Sequence, residues 1–220
     1  AQSEAANPGK PFVRYWMHNG MIEVKDTKMS KSDGLRENWI LKNLLKKYSH
    51  NVLKMYILST HYRSPLEFSI EKLEAAKRSL ERIINSLRNI IFLLKKAEKQ
   101  KDEGSSGAET NKKIKKLSEN CQKNYLNAMN DDFNSAKAIG FLFDFVKEIN
   151  TIIQKSSFHM DAETRKGLSS AYNQILELSS ILGFDLRDEI RIKKQKKEIN
   201  KKEIEELIEK RNQARKNKDF

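Results

Sequence analysis

The chain has 220 residues, of which 38% are hydrophobic and 33% are charged, and its formal net charge at pH 7 is +13. Only 3 prolines and 8 glycines are present, which is typical of a helix-rich protein and excludes a β-sandwich or a disordered chain. No apolar run reaches the roughly 18 residues of a membrane-spanning helix. The single cysteine, Cys121, excludes an internal disulfide and a cysteine-based zinc cluster.

Other general features narrow the class of protein further. Residues Ala1–Glu4 lack the charged and apolar regions of a signal peptide, and one cysteine suits a reducing compartment, so we expect a cytoplasmic protein. The positive charge favours a polyanionic partner such as nucleic acid. A generally lysine-rich surface would give the same charge, so composition alone leaves both interpretations open.

Residues 12–24 are predicted to be extended and partly buried, because two apolar runs flank Asn19-Gly20, a dipeptide that strongly favours a turn. This segment leads to a loop with the sequence Lys28-Met29-Ser30-Lys31-Ser32. Two ammonium groups and two hydroxyls so close together are suited to holding a polyphosphate. Such a short string is also common on solvated surface loops, and that alternative is favoured until the neighbouring residues are considered.

From about residue 38 the pattern is helical. Two short amphipathic segments, around Trp39–Leu45 and Val52–His61, end where Arg63-Ser64-Pro65 breaks the helix. A long helix with an apolar stripe is predicted from an N-cap at Ser69 to about Lys99. Lys99–Lys112 has no periodicity and is predicted to be a flexible loop.

Three further helices are predicted. The first covers Ile114 to about Ala128, the second is capped by Asn134, and the third begins at Asp161 and ends before Gly183, where a left-handed residue is expected. Four striped helices favour an antiparallel bundle with the aromatic residues in its core. Arg191–Lys202 is a basic run, and a charged helix is predicted after it, from Glu203 to Lys218.

Five ordered motifs resemble those of cysteinyl-tRNA synthetases, a family of class I aminoacyl-tRNA synthetases. The motifs are Ala1–Glu4, Tyr15–Gly20 followed by Lys28–Ser32, His61–Pro65, Asp131–Asn134 and Glu209–Lys216. The resemblance implies a mainly α chain: the end of a Rossmann-type catalytic domain, a stem-contact region and an antiparallel anticodon-binding bundle. We place these parts at residues 1–35, 36–68 and 69–184, and a basic linker with the start of a C-terminal region at 185–220.

The resemblance also implies a reaction and its site. The family uses ATP, with Mg²⁺, to activate cysteine as an adenylate and then transfers cysteine to tRNA(Cys). By resemblance Lys31 contacts ATP as a catalytic residue, Lys28 assists it, and Ser30 and Ser32 order the loop. A positioned lysine is useful where negative charge builds on the phosphate oxygens. Met29 is expected to pack.

Some residues depart from the family pattern. Asp33-Gly34-Leu35 follows the lysine motif where the family has Leu-Gly-Asn, which puts an acid beside the phosphate loop, and Ser135-Ala136 replaces Thr-Pro, a change that a helix N-terminus should tolerate. The resemblance places the first signature, the cysteine pocket and the Zn²⁺ ligands upstream of Ala1. The chain is therefore expected to be a fragment that does not aminoacylate by itself, and Cys121 is expected to be a buried residue without chemistry.

Several alternatives stay open at this stage. Trp16 and His18 either border the amino-acid site or belong to a strand core, and Arg63 either ties its own loop down, which is the favoured interpretation, or contacts tRNA. A stand-alone helical RNA-binding module and a cysteine–amine ligase are the competing functions. The expected partners are tRNA(Cys), cysteine and ATP, without a membrane, and we expect a monomer.

Overall fold

The computed structural model describes residues 2–24, 40–97, 107–155 and 158–190, and seven more residues at 205–206, 208–211 and 213. These residues are mainly helical, which confirms the predicted fold class. In chain order the elements are α1 Gln2–Ala6, β1 Ile22–Val24, α2 Leu41–Lys47, α3 His50–Leu58, β2 Leu66–Phe68, α4 Ile70–Ala97, α5 Gly107–Asn130, α6 Ser135–Ile153 and α7 Ala162–Ile181. Residues 186–190 are also helical.

Helices α4 to α7 form the predicted bundle, in which α5 packs against both α6 and α7. Each helix buries the apolar stripe that the sequence shows at spacings of three and four residues. The largest fully buried side chains of the bundle are Leu73, Leu80, Ile83, Ile84, Leu87 and Ile90 of α4, Ile114 and Tyr125 of α5, Leu142 and Ile149 of α6, and Leu168 of α7. The aromatic Tyr125 is thus a core residue, as expected, and its hydroxyl donates to the carbonyl oxygen of Leu178 at 2.9 Å. The expectation is wrong for Phe92 of α4, which is 65% exposed.

The three predicted helix N-caps are confirmed. Each of them depends only on residues that are close in sequence. The side-chain oxygens of Ser69, Asn134 and Asp161 each accept a hydrogen bond from the backbone N–H three residues later, at 3.2, 3.0 and 2.8 Å respectively. At the end of α7, Gly183 has a φ of +76°. The N–H of Phe184 then donates to the carbonyl oxygen of Ser179 at 3.0 Å, which closes the helix.

The start of α5 differs from the prediction, because residues 107–112 are helical and belong to no loop. The cause is a long-range contact: the Asp161 carboxylate that caps α7 also accepts a hydrogen bond from the N–H of Gly107. Gly107 is buried there, and a Cβ atom at this position would overlap that carboxylate. One side chain thus caps two helices. Residues 99–106, the rest of the predicted loop, lie outside the described residues.

The N-terminal segment also differs from the prediction. Within residues 12–24 only Ile22–Val24 form a strand, and the apolar side chains before it are exposed, with Tyr15 at 87% and Met21 at 79%. The expectation of partial burial is therefore wrong for the described chain. The reason is that, within the described residues, β1 pairs with only one strand, so little of the chain covers this segment. That strand is β2, which pairs with β1 in parallel through Ile22↔Leu66 and Val24↔Phe68.

The Asn19-Gly20 turn is absent from the described structure, since neither residue has a positive φ. Gly20 instead lies against the chain before β2. Its N–H donates to the carbonyl oxygen of Tyr62 at 2.7 Å, and a Cβ atom would overlap the carbonyl group of Ser64. Glycine is required here for close approach of two backbone segments.

The double cap at Asp161 gives a stability prediction. Replacing Asp161 with Ala should lower the free energy of unfolding by about 1–2 kcal/mol, because both helices lose a cap. Urea unfolding followed by circular dichroism measures this change. The matched control is Asp144→Ala, at an exposed position inside α6. Equal losses in the two variants would contradict the double cap.

Candidate functional site

The predicted nucleotide loop, Lys28, Ser30, Lys31 and Ser32, lies within residues 25–39, outside the described residues. Asp33-Gly34-Leu35 lies there as well. What the structure describes is the strand that leads to this loop: β1 ends at Val24, shortly before Lys28. In parallel sheets, ligands bind beyond the carboxyl ends of the strands, and Lys28–Ser32 follows such an end.

Trp16 and His18 lie ahead of this strand and stack on each other, with ring centroids 6.3 Å apart and planes inclined by 10°. Trp16 is 69% exposed and His18 is exposed too. The strand-core interpretation of these residues is therefore wrong in the described chain. Their proximity to an amino-acid site stays a prediction.

Three segments that are distant in sequence meet at one place, which we call the motif junction: Gly20, His61, Tyr62, Arg63 and Asp132. Nε of Arg63 lies 2.7 Å from Oδ2 of Asp132, and its second terminal nitrogen donates to Oδ1 at 3.1 Å. The hydroxyl of Tyr62 donates to the same Oδ1 at 2.7 Å. Tyr62 also accepts from the N–H of Gly20, so the junction connects the strand segment to the turn between α5 and α6.

The junction confirms that Arg63 ties its own loop down. It also shows a contact that sequence reasoning missed. His61–Pro65 and Asp131–Asn134 were noticed as separate motifs, and nothing in their spacing indicated that they touch. The only available signal was chemical: an arginine in one motif and a carboxylate in the other.

Electrostatics at the junction favour the charged forms of both partners. Hydrogen bonds from Tyr62 and then Arg63 lower the pKa of Asp132. Hydrogen bonds to Tyr62 and to Asp132 raise the pKa of Arg63. Because both side chains are substantially exposed, solvent and salt screen the pair, and it fixes a geometry more than it adds stability.

The turn that presents Asp132 has an unusual backbone. Asp132 and Phe133 have φ values of 54° and 51°, in the left-handed region that non-glycine residues seldom adopt. Hydrogen bonds hold this conformation, including one of 3.1 Å from the N–H of Phe133 to the carbonyl oxygen of Met129. Ser135, where the family has threonine, donates from Oγ to the carbonyl oxygen of Leu58 at 2.9 Å and so ties α6 to α3. Serine thus supplies the hydroxyl group that threonine would supply.

Cys121 lies on α5 and is buried, as expected. Burial, followed by the nearby charge of Asp144, raises the pKa of its thiol to about 12. The thiol is therefore protonated at neutral pH and is unsuited to nucleophilic chemistry or metal binding. The described part of the chain contains no group of three or more side chains that could hold a metal ion.

Two further predictions concern the basic run near the C-terminus and membrane-spanning helices. The basic run Arg191–Lys202 lies outside the described residues. Among the helices that the structure describes, none has the length and hydropathy to cross a membrane.

The junction predicts a specific effect of Asp132→Ala. The amide of Gly20 should exchange with solvent several-fold faster, because Tyr62 loses the contact that holds its backbone in place, while the midpoint of thermal unfolding changes little. Hydrogen exchange followed by NMR measures this. Asp131→Ala, on the neighbouring exposed acid, should leave the exchange rate unchanged.

The same junction has a defined pH dependence. The pKa of Asp132 is lowered in the folded protein. The stabilisation that ionised Asp132 gives to the junction is therefore fully present above the ordinary carboxyl range near pH 4, and it is lost only as pH falls below that range. Fast Gly20 exchange already at neutral pH in the unmodified chain would contradict the junction.

Two family models match the chain in the same order as the structural parts. Residues 1–78 match the tRNA synthetases class I (C) catalytic domain, and residues 124–187 match the DALR domain. The first match contains Gly20 and Arg63, and the second contains Asp132. The junction is therefore a contact between residues of two family domains.

Similar proteins agree with these matches. The chain is 40% identical over 220 residues to a protein of Caldicellulosiruptor saccharolyticus named cysteine–tRNA ligase, with all of this chain and 43% of that protein covered. Proteins of the same name from Bacillus licheniformis and Geobacter sulfurreducens are 39% and 37% identical, again over the whole of this chain and over 42% and 44% of their own length. The chain thus spans less than half the length of these relatives. On this evidence the chain belongs to the cysteine–tRNA ligase family of class I aminoacyl-tRNA synthetases.

Proposed function

We propose that this chain is part of a cysteine–tRNA ligase, which activates cysteine with ATP and transfers it to tRNA(Cys). The observation that supports the proposal most is the presence, in one chain, of matches to a class I (C) catalytic domain and to a DALR domain. Within the proposed enzyme, residues 1–35 would end the catalytic domain, 36–68 would contact the tRNA stem, 69–184 would bind the anticodon region, and 185–220 would begin a C-terminal region.

In the proposed reaction the cysteine carboxylate attacks the α-phosphate of ATP and pyrophosphate leaves. Lys31 would contact the phosphates as negative charge develops, Lys28 would assist, and the hydroxyls of Ser30 and Ser32 would order the loop. A preorganised lysine stabilises the transition state more than the ground state, which is what raises the rate. The position of this motif after the carboxyl end of β1 supports these roles.

Metal ions are part of the proposal only because the family is expected to use them. Mg²⁺ would accompany ATP, and Zn²⁺ would serve the complete enzyme. The described residues of this chain offer no cluster of ligands for either ion, so we assign neither to them. A cytoplasmic location and a monomeric state remain expectations.

The two competing functions receive less support. A cysteine–amine ligase would not need the α4–α7 bundle, and a stand-alone RNA-binding module would leave the synthetase-like residues 1–78 without a purpose. The curated relatives are named cysteine–tRNA ligase, which favours the first proposal over both.

Binding of tRNA is the first test. In a filter-binding titration, the 220-residue chain should bind tRNA with the cysteine anticodon at least about tenfold more tightly than a non-cognate tRNA, and its affinity should fall steeply with salt. Equal affinity for both would indicate a generic basic RNA binder. Absence of binding at low salt would overturn every RNA-based function.

The role of Lys31 is tested in a chimera, in which this chain replaces the matching segment of the Caldicellulosiruptor saccharolyticus ligase. Lys31→Ala should reduce the rate of ATP–pyrophosphate exchange by about 10²–10³, the usual cost of losing one transition-state contact. Lys10→Ala, at an exposed position in the same part of the chain, is the control. Full activity of the Lys31→Ala chimera would contradict the assignment.

A further inference from the structure

A polar groove of about 420 Å³ lies on the bundle surface between α4 and α6. Facing sides of the two helices line it, because the contributing residues recur three or four positions apart. Its polar side chains include Arg82, Asn85 and Asn89 from α4, Lys147 and Asn150 from α6, and Gln154, which follows the last residue of α6. Its volume is in the range of ligand clefts, which is roughly 300–1,000 Å³.

Two contacts hold the groove in shape. The guanidinium carbon of Arg82 lies 5.4 Å from the ring centroid of Phe143, so this cation rests on an aromatic face from the opposite helix. The hydroxyl of Ser86 donates to Oδ1 of Asn150 at 2.8 Å. This bond occupies the amide oxygen, so the Nδ2 group of Asn150 is the end that can donate to a ligand.

The charge of the groove is of one sign. Its lining contains two cations, several amides and no carboxylate. The acids of the α6 stretch, Asp144 and Glu148, do not line it. A net positive, amide-rich surface of this kind complements a polyanion.

An exposed aromatic side chain continues the same row of α4. Phe92 follows Asn85 and Asn89 at helical spacing and is 65% exposed. An apolar ring on a polar helix face costs solvation unless a partner covers it, and unpaired nucleobases stack well on such rings.

We propose that this groove binds a single-stranded segment of RNA. Arg82 and Lys147 contact phosphates, the amides of Asn85, Asn150 and Gln154 bond to base edges, and Phe92 stacks on a base. Amides and cations side by side are suited to reading an unpaired nucleotide, whereas the major groove of a paired A-form helix is too deep and narrow for side chains to read. The inference rests on the proposed function for its partner, and it adds the residues and the surface.

Two pairs of matched variants test the groove in the 220-residue chain. Asn85→Asp puts a carboxylate into the groove with almost no change of shape, and Asn173→Asp makes the same change at an exposed position on α7. Phe92→Ala removes the stacking ring, and Leu126→Ala removes an apolar side chain that is 44% exposed on α5. Circular dichroism establishes that all four variants fold.

The readout is the dissociation constant for tRNA with the cysteine anticodon at fixed salt. Asn85→Asp and Phe92→Ala should each weaken binding at least about fivefold, in line with the loss of one stacked base. Both controls should stay within about twofold. If the unmodified chain binds this tRNA selectively but all four variants bind it as tightly as the unmodified chain does, the groove inference is wrong and the proposed function stands. If the unmodified chain binds no tRNA, both are wrong.

Discussion

The contact of Tyr62 and Arg63 with Asp132 is the interaction on which the arrangement of this chain depends. It joins the loop before β2 to the turn between α5 and α6. The same loop also binds the N-terminal strand segment, because Tyr62 accepts a hydrogen bond from the N–H of Gly20. The pairing of β1 with β2 holds this segment as well. Because the charges are exposed, the contact acts by geometry: a bidentate arginine fixes both distance and orientation.

The bundle adds rigidity to this arrangement. Its core is apolar and continuous, and a few buried polar groups specify how its helices meet. Asp161 caps α7 and receives the first amide of α5, while Tyr125 reaches across to α7. Burial raises the pKa of Tyr125 to about 12, so its hydroxyl remains a donor across the physiological range. A rigid scaffold of this kind can present a surface groove with fixed side chains, which a loop could not do.

Local chemistry predicted much of the fold. The caps at Ser69, Asn134 and Asp161 and the left-handed Gly183 follow from residues within a few positions, and all four are present. Predictions failed where a distant residue decides the outcome. Gly107 is helical because of Asp161, and Gly20 lies against the chain before β2 because its N–H donates to Tyr62. Neither partner is visible in a short window of sequence.

The candidate site was predictable to a different degree. The lysine loop and the family were recognisable because motif order is a property of sequence. The motif junction and the groove required coordinates, since each depends on residues from two or more separate helices or loops.

The central proposal is that one chain carries both a part that approaches the site of cysteine transfer and a part that binds the anticodon region. Hydroxyl-radical footprinting of tRNA with the cysteine anticodon, bound to this chain, tests it most directly. We expect two protected regions on the same tRNA, one in the acceptor stem and one in the anticodon arm. Protection confined to one region, or spread evenly along the backbone, would contradict the claim.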